Sequence, residues 1–160
     1  MIKLFFYVWY KKFFNIILMF NEQQISLWIW ENFELPENKY VIYDIIIDRK
    51  SKYTLVVFKI HDKQEISWIL KDLKKDPYFA KATHNSYAWR ILQKNGSILE
   101  WKNDDGETWA GMCILREIQR ENWVNILIIV TRYFWWIKLE SDRFKNVIQA
   151  CKIFFEKIKK

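Results

Sequence analysis

The sequence predicts an α+β fold, a two-layer sandwich in which a mixed β-sheet carries its helices on one face. Three observations carry that prediction. Apolar residues switch between strand-like and helical spacing in the order strand, strand, helix, two strands, helix, strand, helix. The 160 residues are 51% hydrophobic and 28% charged, enough of each for one packed core and a solvated surface, which excludes a disordered or fibrous chain. The segment from Val124 to Phe134 is apolar almost without interruption, as a central strand buried on both faces must be.

Each element has its own signal. Asn21 to Asn38 is polar and contains Pro36, so it reads as a lead-in to the β-branched run Tyr40 to Ile47, a strand. Tyr53 to Ile60 is a second strand. Asp62 to Lys75 is a helix, because Asp62 and Glu65 have capping-box spacing, Ile66, Ile69, Leu70 and Leu73 share a face, and Pro77 closes it. Asn85 to Gln93 and Ser97 to Trp101 form a hairpin about Asn95-Gly96. After the acidic turn Asn103 to Glu107, Ala110, Ile114, Leu115 and Ile118 suit a second helix. Phe144, Val147, Ile148, Cys151, Phe155 and Ile158 recur at helical spacing behind a Ser141/Asp142 cap. The chain therefore divides into an N-terminal extension, 1–38, and a domain, 39–160.

Within the extension, Met1 to Phe20 is apolar but carries Lys11 and Lys12 at its centre, where a bilayer charges about 2.5 to 3.5 kcal/mol for each. It also lacks the small-residue cleavage site of a signal peptide. No stable membrane insertion is expected, and Met19 is an alternative start. Two cysteines cannot make a disulfide framework, and neither lies in a CxxC or a Cys/His ligand pattern, so a reducing cytoplasm is the simplest compartment to expect. Both Cys113 and Cys151 fall on apolar helical faces, as core thiols do. The balance of 26 Lys and Arg against 19 Asp and Glu, a net +7, favours an anionic partner such as RNA.

One pair of counts is abnormal. A chain of this length ordinarily holds roughly 11 Gly, yet there are 3 Gly and 10 Trp. A wealth of Ile, Lys, Phe and Asn fits an AT-rich genome, which thins Gly but does not raise Trp.

The blocks Asp-Arg-Lys-Ser at 48 to 51, Ala-Thr-His-Asn at 82 to 85 with Tyr87-Ala88 and Arg90-Ile91, Asp-Asp-Gly-Glu-Thr at 104 to 108 with Ala110-Gly111, and Thr-Arg-Tyr-Phe at 131 to 134 stand in a fixed order. In this they resemble the Impact N-terminal domain family, with its Impact and YigZ-like branches, over about residues 45 to 155. Asp142-Arg143-Phe144-Lys145 is closer to the Impact branch. The resemblance implies a ribosomal protein S5 domain 2-like fold and a role in regulation of translation, by contact with the ribosome, RNA or a translation-regulatory protein and without a cofactor. Carried over residue by residue, the expected binding positions are Arg49, Lys50, Ser51, Thr83, His84, Asn85, Tyr87, Arg90, Asp104, Asp105, Gly106, Glu107, Arg132, Lys138, Asp142 and Arg143. If the ends bearing Arg49, Lys50, Lys52, Arg132, Lys138, Arg143 and Lys145 converge, they form a basic edge suited to phosphate contacts. Arg132 interrupts an apolar strand, so it either pairs with a carboxylate such as Asp105 or Glu107 or reaches a ligand.

Two departures from the family pattern stand out. Family members carry Gly-Gly where this chain has Trp135-Trp136, and a Gly pair after a buried strand usually serves a positive φ or a close backbone approach. With the Gly and Trp counts, the economical explanation is an alternative genetic code, TGA codons read as Gly in some bacterial lineages translated as Trp; the alternative is genuine Trp in a diverged copy. Trp28, Trp30, Trp109 and Trp123 also sit in contexts that accept Gly. Glu140 replaces a further family Gly and has no such explanation.

Catalysis is the competing reading, a small hydrolase-like enzyme using His84, Asp105 and Glu107, with Asp104 nearby, as an imidazole and carboxylate site for metal-assisted hydrolysis. No HExxH, nucleophile elbow or P-loop accompanies them, and His61 lies at a strand end before a helix cap. The plainer expectation is that His84 and Asn85 bond neighbouring backbone at a strand start, while Asp105-Gly106-Glu107 form a turn that favours the next helix.

Overall fold

The computed structural model describes residues 35–159. Met1 to Phe20, Met19 as a start, Trp28 and Trp30 lie outside the described residues. Five strands, β1 (Lys39–Asp48), β2 (Ser51–Lys59), β3 (His84–Leu92), β4 (Ile98–Asn103) and β5 (Ile126–Tyr133), form one sheet in the order β1-β2-β5-β3-β4. Between and after them come α1 (Lys63–Leu73), the short α2 (Pro77–Ala80), α3 (Ala110–Arg120) and α4 (Asp142–Ile158). The α+β class is the one the sequence predicts, and the element order matches except for α2, which the sequence reading does not anticipate.

Two features of the sandwich differ from expectation. Every neighbouring pair of strands is antiparallel, so the sheet is not mixed. The crossover through α1 and α2 does make β2 and β3 run the same way, but β5 inserts between them and pairs antiparallel with both. The helices also cover both faces rather than one. Tyr53, Leu55, Val57, Ala88, Ile126, Ile128 and Val130 pack with α3 and α4, while Val56, Trp89, Ile91, Leu127 and Ile129 pack with Ile66 and Leu73 of α1 and Phe79 of α2. Successive residues of β5 thus feed opposite cores, which is the physical meaning of its unbroken apolar run.

Local signals set the boundaries. The capping box of α1 forms: the Gln64 N–H donates to Asp62 Oδ1 at 2.8 Å and the Asp62 N–H to Glu65 Oε1 at 2.7 Å. Pro77 opens α2 instead of merely ending α1, because the Asp76 side chain caps it by accepting the Tyr78 N–H at 2.8 Å. Gly96 takes φ +82° in the β3–β4 turn. Ser141 precedes α4 but makes no side-chain capping bond. Leu35, within the expected lead-in, is buried in the core beside α3 and α4. Both cysteines lie where core thiols were expected, Cys151 fully and Cys113 partly buried, and burial pushes both thiols up in pKa. Among the described residues no helix is long and apolar enough to cross a membrane.

Candidate functional site

Antiparallel pairing brings the β1–β2 turn, the start of β3, the exit of β4 and the end of β5 to one end of the sheet. The register states this directly: Asp48 pairs with Ser51, Lys52 with Tyr133, and Arg132 with Tyr53 on one side and His84 on the other. Opposed residues in a sheet project to the same face, so Tyr53, Arg132 and His84 form a row beneath the start of α4.

Glu107, from the turn after β4, meets that row at Arg132 and His84. Its side chain is 6% exposed and its two oxygens are divided: Arg132 Nη1 donates to Oε2, and Arg143 Nε lies 3.2 Å from Oε1. His84 Nε2 is 3.5 Å from Oε2, a charged pair when the imidazole is protonated. The other imidazole nitrogen, Nδ1, is 2.8 Å from the Asp105 carbonyl, which only accepts, so Nδ1 carries the proton there. Aromatic rings fix both guanidinium groups: Arg132 sits 5.7 Å from the Tyr53 ring and 5.4 Å from that of Phe134, and Arg143 4.6 Å from Phe144. Thr83, Gly106, Lys138, Leu139 and Glu140 complete an open cleft of about 420 Å³.

The neighbouring acidic turn is structural. The Asn85 N–H donates to Asp105 Oδ2 at 2.7 Å, and Asp104 Oδ1 accepts the Gly111 N–H at 2.9 Å while its Oδ2 accepts that of Trp109 at 3.1 Å. Asp104 therefore caps α3, a task expected instead of Asp105-Gly106-Glu107. Gly106 has φ +81°, a backbone conformation that residues with a Cβ rarely adopt, and the turn it forms packs against the His84 imidazole. Asn85 is buried, bonding the Phe79 carbonyl at 3.0 Å and the Thr131 hydroxyl at 2.9 Å. Among the described residues no group of three or more His, Cys, Asp or Glu is placed to hold a metal ion.

Arg49 and Lys50 form the two-residue β1–β2 turn with φ of 45° and 66°. Such left-handed conformations are costly for residues with a Cβ, and the turn is held by its charges. Arg49 reaches Asp48 at 3.0 Å and Asp142 at 2.5 Å, tying the turn to the start of α4. Hydrogen bonds from Arg49 and Asn146 hold the Asp48 carboxyl below its usual range, and those from Lys145 and Arg49 do the same for Asp142. Lys50 is 6.0 Å from the Trp135 ring, and no ion pair of Lys50 or Lys138 occurs among the described residues.

The structure therefore gathers Thr83, His84, Gly106, Glu107, Arg132, Lys138 and Arg143 into one cleft, with Arg49, Lys50 and Asp142 beside it. Asp104 and Asp105 hold the adjoining turn, Asn85 is buried at the start of β3, and Ser51 is buried opposite Asp48 at the start of β2. Tyr87 and Arg90 are elsewhere: Tyr87 packs with the α1 core, and Arg90 is buried against Glu100 at 3.0 Å and the Trp123 carbonyl at 3.2 Å. Phe134, Leu139 and Glu140 were not among the expected binding residues, although Phe134 closes the Thr-Arg-Tyr-Phe block.

A small α+β domain with a doubly covered antiparallel sheet and an arginine-rich cleft at one sheet end is the class of protein these features define. The chain belongs to the Impact N-terminal domain family, whose model matches residues 49–153. It is 33% identical to a protein IMPACT homolog of Schizosaccharomyces pombe over 107 residues, 67% of this chain and 38% of that protein. It is 36% identical to protein IMPACT-B of Xenopus tropicalis over 115 residues, 71% of this chain and 36% of that one. The chain thus spans little more than a third of the length of these relatives, which are eukaryotic. A crystal structure described as that of a hypothetical protein shares the fold, with a TM-score of 0.67 at 17% identity over 78% of this chain and 60% of that one.

Proposed function

We propose that this chain is a non-enzymatic, cytoplasmic binding module of translation regulation that contacts ribosomal RNA through its basic sheet end. The observation that carries this reading is the convergence of Arg49 and Lys50, Arg132 and Lys138, and Arg143 and Lys145 from three separate stretches of sequence onto one end of the sheet. Fixed cations on several elements are what a phosphate backbone meets, and RNA helices are recognised mostly through phosphates and shape. The role in translation rests on membership of the family. The hydrolase alternative is weakened because Asp104 and Asp105 are committed to backbone N–H groups and Glu107 to two arginines. That leaves His84 without a free carboxylate partner to act as a base's orienter.

Lys50→Ala and Lys138→Ala test this reading without touching the buried pairs. Each is expected to weaken binding to a ribosomal RNA fragment about equally for unrelated sequences and to reduce the salt slope of binding by about one. A slope left unchanged in the double variant would remove the basic end from the interface. Binding to a translation-regulatory protein alone, with none to RNA, would reassign the partner.

The decoding proposal also has a physical footing. Trp109 and Trp136 have φ of 72° and 38°, and the Ile137 N–H bonds back to the Trp135 carbonyl across Trp136 in a three-residue turn. A β-carbon is unfavourable in both places and glycine is not. Trp123 differs, since it is buried and packs 5.9 Å from the Phe155 ring, where glycine would leave a cavity. TGG codons at 135 and 136 would end the proposal.

A further inference from the structure

We infer that the cleft around Glu107 is a preformed socket for a single phosphate group. The inference deepens the RNA-binding reading above and rests on it for the source of the phosphate.

The socket is built before any ligand arrives. Glu107 holds the Arg132 and Arg143 guanidinium groups on its two oxygens, and the rings of Tyr53, Phe134 and Phe144 flank them, so neither must be ordered on binding. Only one edge of Arg132 is spent on Glu107. Its Nε, in a residue 6% exposed, has no hydrogen-bond partner among the described residues, an unusual state for a buried guanidinium. Charge agrees with this. Arg132, Arg143 and Lys138 oppose Glu107 and the rim carboxylate of Glu140, leaving a positive surplus. The first turn of α4 adds its positive dipole end, and Ser141 does not cap it.

These donors select the ligand's chemistry. They come from β5, the loop after it and α4. A carboxylate has two coplanar oxygens, whereas a phosphate is tetrahedral and can meet two guanidinium forks and an ammonium together. The cleft exceeds a bare phosphate in size, which leaves room for the sugar that carries it.

The test is a titration of the full chain with inorganic phosphate, followed by NMR of the arginine Nε–Hε signals. The Arg132 and Arg143 signals should move and saturate, and acetate at equal concentration should not reproduce the movement. Arg143→Gln, which retains the Arg132–Glu107 pair, should weaken phosphate about tenfold, as loss of one charge-assisted hydrogen bond does. It should also reduce RNA affinity. Arginine signals that stay still at tens of millimolar phosphate, or that respond equally to acetate, would overturn the socket. RNA binding that depends on Lys50 and Lys138 but ignores Arg143→Gln would overturn it too, while leaving the proposed function standing. Saturable phosphate binding without RNA binding would uphold the socket and refute RNA as its source.

Discussion

Arg132→Ala is expected to destabilise the domain by about 3 to 5 kcal/mol, the cost of breaking a buried ion pair by removing one partner. Arg132 and Glu107 have side chains only 7% and 6% exposed. Without Arg132, the Glu107 carboxylate keeps Arg143, but Arg143 is 37% exposed and cannot replace a buried charge. The rings of Tyr53 and Phe134 would also flank a void in place of a guanidinium. Urea unfolding followed by circular dichroism measures the loss. The companion variant, Arg132→Met with Glu107→Leu, removes both charges and is expected to recover most of it, because apolar replacements of a buried pair are often neutral. An Arg132→Ala variant as stable as its parent would show that the pair does not hold the sheet end together.

Trp109→Gly combined with Trp136→Gly is expected to stabilise the chain by about 1 to 2 kcal/mol per position, the cost of left-handed backbone for a residue with a Cβ. Each kcal/mol corresponds to a rise of about 2 to 4 °C in melting temperature for a domain of this size. The gain is smaller for the adjacent pair Trp135→Gly and Trp136→Gly. Both indoles lie outward, 51% and 87% exposed, so no overpacking is relieved, and Trp135 gives up its contact with Lys50. Only Trp136 of that pair has positive φ. A Trp109→Gly, Trp136→Gly chain that melts below its parent would contradict the decoding proposal on physical grounds, whatever the codons.

Much of this architecture was legible because local chemistry decides it. The capping box at Asp62 and Glu65, the Asn95-Gly96 turn and the 3.6-residue spacing of α3 and α4 are short-range signals, and each element formed near its expected place. Strand direction and helix placement are long-range properties. Nothing within β2 or β3 says that β5 will insert between them. The apolar continuity of β5 did announce two covered faces, and it was the assumed single helical layer that conflicted with it.

The candidate site was legible in a similar measure. A charge inside an apolar strand marked Arg132, and its partner was one of the two carboxylates the sequence offered, Glu107. Tyr87 and Arg90 were grouped with the site because they share its motif blocks, yet alternation along β3 sends Tyr87 to the other face and pitch carries Arg90 to the far end. Phe134 lacked any charge to mark it. Its function as a cover for a guanidinium exists only once β5 ends and the chain turns back.

The most direct test of RNA contact through the basic sheet end is the affinity of the chain for a ribosomal RNA fragment across a tenfold rise in salt. About three phosphate contacts, one each for Lys50, Lys138 and the cleft, should lower the affinity by about two to three orders of magnitude, with log affinity falling linearly against log salt. Affinity that holds constant over that range would contradict the account, since neutralised phosphates cannot form without releasing their counterions.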